Sequence, residues 1–133
     1  MTSLNYANCG LSVLIVDDYK TMLRVLRNLL GQIGIMNIDE AADGEAALSL
    51  IKYKKYDLII SDWSMEPMSG MDLLKAVRTG NDNETAFIMV SAESAAEKVI
   101  AAREAGVDNY IIKPFTADTL KNKIEQVLGG CHG

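Results

Sequence analysis

Asp57-Leu58-Ile59-Ile60-Ser61-Asp62-Trp63 is a short apolar run closed by a carboxylate. It is too short for a stable helix and rich in branched residues, which predicts a strand buried on both faces. Asp62 then stands at the C-terminal tip of that strand, and in open parallel α/β sheets ligands bind at that edge. The remaining polar positions are best understood by where they fall relative to Asp62.

Upstream, residues 11–16 form another apolar run, ending in Asp17 and Asp18. From Tyr19 the period becomes helical: Tyr19, Met22, Leu23, Leu26, Leu29, Leu30 and Ile33 recur three or four apart, with Gly34 as the stop. Residues 37–42 are shorter and more polar, as suits an edge strand. Asp43 and Gly44 open a second helix carrying Ala46, Ala47, Leu50 and Ile51, with Lys52, Lys54 and Lys55 favourably placed near its C-terminal end. Downstream of Asp62, the loop 64–68 leads through Ser69 and Gly70 into a helix with Met71, Leu74 and Val77, stopped by Gly80. Residues 85–90 predict a strand ending on Ser91. Residues 94–105 predict an alanine-rich helix with a thin stripe of Val99 and Ile100, closed by Gly106. Residues 108–112 predict a last strand, ending on Lys113-Pro114, and Thr116 the N-cap of a final helix whose face is Leu120, Ile124, Val127 and Leu128.

Five strand-helix units in strict alternation predict an α/β fold: a single doubly wound (βα)5 domain around a five-stranded parallel sheet. Right-handed crossovers and a polar second strand favour the flavodoxin-like order 2-1-3-4-5. Residues 1–10 read as an N-terminal leader, 11–129 as the folded domain and 130–133 as a tail. A formal charge of −5 lacks the basic footprint of nucleic-acid binding. No apolar run approaches the ~18–20 residues of a membrane span, and the first ten residues have no signal-peptide pattern. The expectation is a cytoplasmic protein with neither nucleic acid nor membrane as partner, and nothing in the sequence points beyond a monomer. Cys9, Cys131 and the lone histidine, His132, match neither a disulfide framework nor a zinc site.

The polar residues at the C-terminal ends of the buried runs are Asp17 and Asp18, then Asp62, Ser91 and Lys113. A parallel sheet projects all of them from one edge, and strands one and three flank its switch point. Three convergent carboxylates repel one another and are pushed toward protonation unless a cation joins them. Lys113 offsets one charge; the remainder suits a hard divalent ion with oxygen ligands, such as Mg²⁺. Asp62, oriented and partly neutralised, is then placed to act as a nucleophile toward phosphorus, with Ser91 and Lys113 on the phosphoryl oxygens.

With these residues in order, the chain resembles response-regulator receiver domains, and among them stand-alone chemotaxis receivers of the CheY type. The likeness covers residues 11–128 and is carried by Asp17-Asp18, Asp62-Trp63 with Met65 and Gly70, Ser91-Ala92-Glu93, and Tyr110 followed by Lys113-Pro114-Phe115. It implies Asp62 as phosphoacceptor, and Mg²⁺ (with Mn²⁺ as a substitute) held by Asp17, Asp18, Asp62 and the backbone carbonyl of Ser64. It further implies Ser91 as switch hydroxyl, Lys113 as phosphate-binding cation, Tyr110 as the aromatic that moves inward on activation, and a cis Lys113-Pro114 bond. Ser64 stands where such receivers often carry Asn, and Pro67 comes one residue later than the commonest pattern. Ser64 and Glu93 occupy the positions at which phosphoryl lifetime is tuned. The implied partners are a chemotaxis-type histidine kinase and the flagellar motor switch, met through a face containing Val99, Arg103, Tyr110, Lys121 and Lys123. Such a protein catalyses only its own phosphorylation and dephosphorylation.

Other readings compete. Asp17-Asp18 taken alone is a solvated strand-to-helix cap, Ser91 a plain N-cap of the fourth helix, Tyr110 a half-buried strand aromatic, and Lys113 a surface charge. A receiver acting only as a phosphate sink shares every motif. An aspartate-nucleophile phosphatase ranks lower, because such enzymes want an acid/base carboxylate two residues beyond the nucleophile and Ser64 stands there. A flavin site ranks lower still, since Asp17-Asp18-Tyr19 would repel a phosphate.

Overall fold

The computed structural model describes residues 10–80, 84–92 and 94–129. Five strands, β1 (Ser12–Val16), β2 (Asn37–Ala41), β3 (Leu58–Asp62), β4 (Ala86–Ser91) and β5 (Asn109–Ile112), alternate with five helices. The helices are α1 (Lys20–Gln32), α2 (Gly44–Tyr53), α3 (Gly70–Thr79), α4 (Ala96–Glu104) and α5 (Ala117–Leu128). All strand pairs are parallel, in the order β2-β1-β3-β4-β5, the flavodoxin-like arrangement.

Every residue of β1 and β3 is buried, because helices cover both faces of the sheet. On one face Val13, Ile15, Leu58, Ile60, Ile88 and Val90 meet Leu23, Leu26 and Leu30 of α1 and Leu120 and Ile124 of α5. On the other, Leu14, Val16, Ile59, Phe87 and Met89 meet Ala47 of α2, Leu73, Leu74 and Val77 of α3, and Ala102 of α4. The edge strand β2 buries only Ile38 and Ala41 among its five residues, which explains its polarity.

Several boundaries move inward from the sequence expectation, each for a local reason. Asp57 is not in β3; its carboxylate accepts the Ser12 N–H at 2.8 Å and closes the start of the β1–β3 pair. Asp108 likewise stands before β5, accepting the Phe87 N–H at 2.8 Å. Tyr19 is the N-cap of α1 and largely exposed rather than a member of its buried face. The fourth helix starts at Ala96, not Ser94, behind an Ala95 N-cap with no side-chain bond. Ser91 is therefore not its N-cap but the last residue of β4. Elsewhere the expected caps are present: Asp43 accepts from the Ala46 N–H and Thr116 from the Thr119 N–H. Gly34 takes a positive φ of 94° after α1, and its N–H reaches the Gly31 carbonyl. Ser69 and Asp72 form a reciprocal capping box at α3. The expectations for Cys9, Glu93, Cys131 and His132 lie outside the described residues.

Candidate functional site

β1 and β3 are neighbours in the sheet, paired through Val16 and Ser61. The residues at their C-terminal ends therefore emerge side by side at one edge. One carboxylate oxygen from each of Asp17, Asp18 and Asp62 lies within 4.8 Å of the other two. Asp17 and Asp62 are buried, whereas Asp18 is exposed. The Asp17 carboxylate accepts the Tyr19 N–H at 2.9 Å, so it does shape the turn into α1. Being only 2% exposed, it is no solvated cap.

This burial has an electrostatic consequence. Desolvation pushes the Asp17 carboxyl from 3.8 up to about 6, with the negative charges of Asp62 and Asp18 adding to the effect. The Tyr19 N–H and the Lys113 ammonium oppose it without cancelling it. The cluster thus carries more negative charge than its protein neighbours offset. Hard oxygen donors, two of them withdrawn from water, fit a divalent cation with oxygen ligands.

Lys113 arrives from the end of β5. Its Nζ lies 2.7 Å from Oδ1 of Asp62, and the pair is largely withdrawn from solvent, which rules out an ordinary surface charge. Its backbone N–H donates to the Ser91 carbonyl at 2.8 Å, tying it to the tip of β4. Ser91 is buried at that tip, one register step beyond the Asp62–Val90 pair. The Lys113–Pro114 bond is cis, and so is Glu66–Pro67, in the loop where the sequence carried no mark of it. Ser64 lies exposed in that loop, one residue before the buried Met65.

Gly70 explains how α3 comes so close to the site. Its N–H donates to the Trp63 carbonyl at 2.8 Å. A Cβ at this position would collide with the Asp62 carbonyl oxygen and come within 2.9 Å of the Trp63 Cα. Sequence reasoning also missed Ser61, whose Oγ donates to the Asp62 carbonyl at 3.0 Å, and Lys98, whose Nζ sits 5.0 Å from the centre of the Trp63 ring. Ser61 lies inside a run buried on both faces, where a hydroxyl needs a partner, and that could have singled it out; nothing local marks Lys98.

Away from the acidic cluster, Tyr110 is buried and meets Trp63 edge-on, with ring centres 6.2 Å apart. Tyr110 also lines a groove of about 200 Å³ together with Val99, Arg103, Ile112 and Lys123. Val99, Arg103, Tyr110 and Lys123 of the expected partner face are thus gathered in one place, a short distance along β5 from Lys113, whereas Lys121 does not line the groove.

Comparison with known proteins agrees with this arrangement. The profile of the response regulator receiver domain matches residues 13–125. The chain is 43% identical over 122 residues to chemotaxis protein CheY-3 of Vibrio cholerae serotype O1, covering 91% of this chain and 94% of that one. It is 42% identical over 124 residues to chemotaxis protein CheY of Pseudomonas aeruginosa, covering 92% of this chain and 100% of the relative. Among solved structures, the Vibrio cholerae chemotaxis protein CheY4 superimposes with a TM-score of 0.82 at 31% identity, over 88% of this chain and 98% of the other.

Proposed function

Because the chain belongs to the response regulator receiver domain family, we propose that it accepts a phosphoryl group on Asp62 from the phosphohistidine of a chemotaxis-type histidine kinase. The observation that carries this reading is the convergence of Asp17, Asp18 and Asp62 within 4.8 Å, with the Lys113 ammonium 2.7 Å from Asp62. Asp17, Asp18 and Asp62 would hold Mg²⁺, together with the Ser64 carbonyl. The ion, when bound, offsets the charge of the cluster and of the incoming phosphoryl oxygens.

An Asp62 carboxylate oxygen attacks phosphorus, the P–O bond forms, and the P–N bond to the imidazole of the donor breaks. Lys113 and the Ser91 hydroxyl take the phosphoryl oxygens as charge moves onto them. Hydrolysis reverses the modification: water attacks phosphorus, the bond to Asp62 breaks, and inorganic phosphate leaves. Ser64 and Glu93 set how readily that water enters. The protein is a signalling module rather than an enzyme with a separate substrate.

Output is a protein contact in the cytoplasm, made by the protein as a monomer. The groove bearing Val99, Arg103, Tyr110 and Lys123 supports this, and α4 beside it buries only Ala102, so it can shift at little cost. The similarity to chemotaxis proteins favours the flagellar motor switch as the partner.

Trp63 fluorescence tests the chemistry, in wild type and Asp62→Asn. The expected result is a saturable Mg²⁺ response, then a change on adding phosphoramidate that decays in wild type and is absent in the variant. A wild-type protein silent to Mg²⁺ would overturn the reading. Capture of a motor-switch protein only with a phosphoryl mimic bound supports the chemotaxis output; capture of none would leave a phosphate sink.

A further inference from the structure

Trp63 directly follows Asp62, and its backbone is clamped. The N–H donates to the Val90 carbonyl at 2.9 Å, and the carbonyl accepts from Gly70 at 2.8 Å and from Met65 at 3.2 Å. The half-buried indole reaches two further elements. Its face receives the Lys98 ammonium from α4, 5.0 Å from the ring centre, well inside the range of a cation–π contact. Its ring also packs against Tyr110 of β5 in a T-shaped pair with an interplanar angle of 64°.

The helix that supplies Lys98 is weakly held. α4 buries only Ala102, its N-cap Ala95 offers no side-chain bond, and Ile100 is more than half exposed. A single added contact therefore weighs more on the position of α4 than it would on a helix with a full apolar stripe. Tyr110, buried here, sits one ladder from the site: Met89 pairs with Tyr110 and Ser91 with Ile112 on the same two strands.

We propose that Lys98 is a positioning residue of the switch, seated on the Trp63 ring so that α4 is held against the Asp62 edge and Tyr110 is kept buried. This rests on the receiver reading above. In the receiver reading phosphorylation favours Tyr110 inward, so the buried arrangement is the favoured one, and losing a contact that holds it weakens occupancy of the phosphoryl site by up to the factor the contact contributes. A partly exposed cation–π contact corresponds to about a 2- to 5-fold change.

The test uses beryllofluoride with saturating Mg²⁺ as the phosphoryl mimic, with bound fluoride followed by ¹⁹F NMR. In Lys98→Met the half-saturating concentration rises about 2- to 5-fold, while Mg²⁺ binding alone is unchanged. Lys98→Arg, which keeps a cation for the ring, restores the wild-type value. In a Trp63→Leu background, Lys98→Met has no further effect. A Lys98→Met protein that binds as well as wild type, or more tightly, overturns the proposal, as does failure of Arg to rescue. An effect that persists in Trp63→Leu also overturns it, because the ammonium would then act on the phosphoryl charge directly. A wild-type protein that binds no beryllofluoride removes the receiver reading itself, a different result from any of these.

Discussion

The Lys113 ammonium stands 2.7 Å from Oδ1 of Asp62, although the two residues come from β5 and β3, which are not neighbours in the sheet. β4 lies between them, and its last residue, Ser91, accepts the Lys113 N–H. The lysine thus bends across one strand to reach the carboxylate, held by a main-chain bond at its base and an ion pair at its tip.

Removing that cation separates its two roles. In Lys113→Met the cluster loses its protein counter-charge, so Mg²⁺ still binds. The developing charge on a transferring phosphoryl group loses a fixed stabiliser, and the rate of phosphorylation by a small donor should fall about 100-fold. Stopped-flow Trp63 fluorescence with phosphoramidate measures this; a rate within twofold of wild type would mean that the ion pair is only structural.

The raised Asp17 carboxyl predicts a pH dependence. With a folded-state value of about 6 against an ordinary 3.8, the native state without metal holds an extra proton between those limits. Stability therefore falls as pH rises from about 4 to 6, by at most about 2 to 3 kcal/mol. A metal must displace that proton, so below about pH 6 the Mg²⁺ half-saturation should rise by roughly tenfold per unit. Asp17→Asn should flatten the stability slope, read by urea unfolding across this range.

The fold was legible because helical and strand periods alternate without interruption, and the acidic cluster because its members each stand at the end of a buried run. Asp17, Asp18 and Asp62 needed only sheet topology to be brought together. What stayed hidden depends on side-chain reach between distant elements. The seat of Lys98 on Trp63 is one such contact. The alanine-rich pattern places the start of α4 at Ser94, whereas the helix begins at Ala96 behind Ala95, with no side-chain cap to mark the boundary. The cis form of Glu66–Pro67 likewise depends on how the whole loop is seated.

Two glycines near the site should respond differently to a methyl group. At Gly70 the added Cβ meets backbone, the Asp62 carbonyl oxygen and the Trp63 Cα, neither of which can yield without moving β3 or α3. Gly70→Ala should cost about 1 to 3 kcal/mol and weaken Mg²⁺ binding. At Gly44 the close neighbours all belong to Met68: Sδ and Cγ can swing away, while Cβ, at 3.0 Å, must give by a few tenths of an ångström, so Gly44→Ala should cost about 1 kcal/mol, less than Gly70→Ala, helped by the better helix propensity of alanine. Urea unfolding of both variants decides the matter; equal losses would mean that α3 is free to shift.

At the opposite edge of the sheet, Arg78 fastens the segments that precede β4 and β5. Its guanidinium donates to the Thr85 carbonyl at 2.6 Å, the Gly106 carbonyl at 2.9 Å and the Asp108 carboxylate at 2.8 Å. Asp108 in turn accepts the Phe87 N–H. The Arg78 side chain is 17% exposed and Asp108 41%, while Thr85 and Gly106 are half-buried, so truncation strands mainly the two carbonyls, and Arg78→Ala should lose about 1 to 3 kcal/mol. Arg78→Lys should recover little, because one ammonium cannot serve three acceptors set out for a planar fork. The acidic cluster lies at the other ends of the strands, so Mg²⁺ titrations of folded Arg78→Ala should match wild type. A large change in that affinity would show that strain at the base of β4 and β5 reaches Ser91 and Lys113 at their tips.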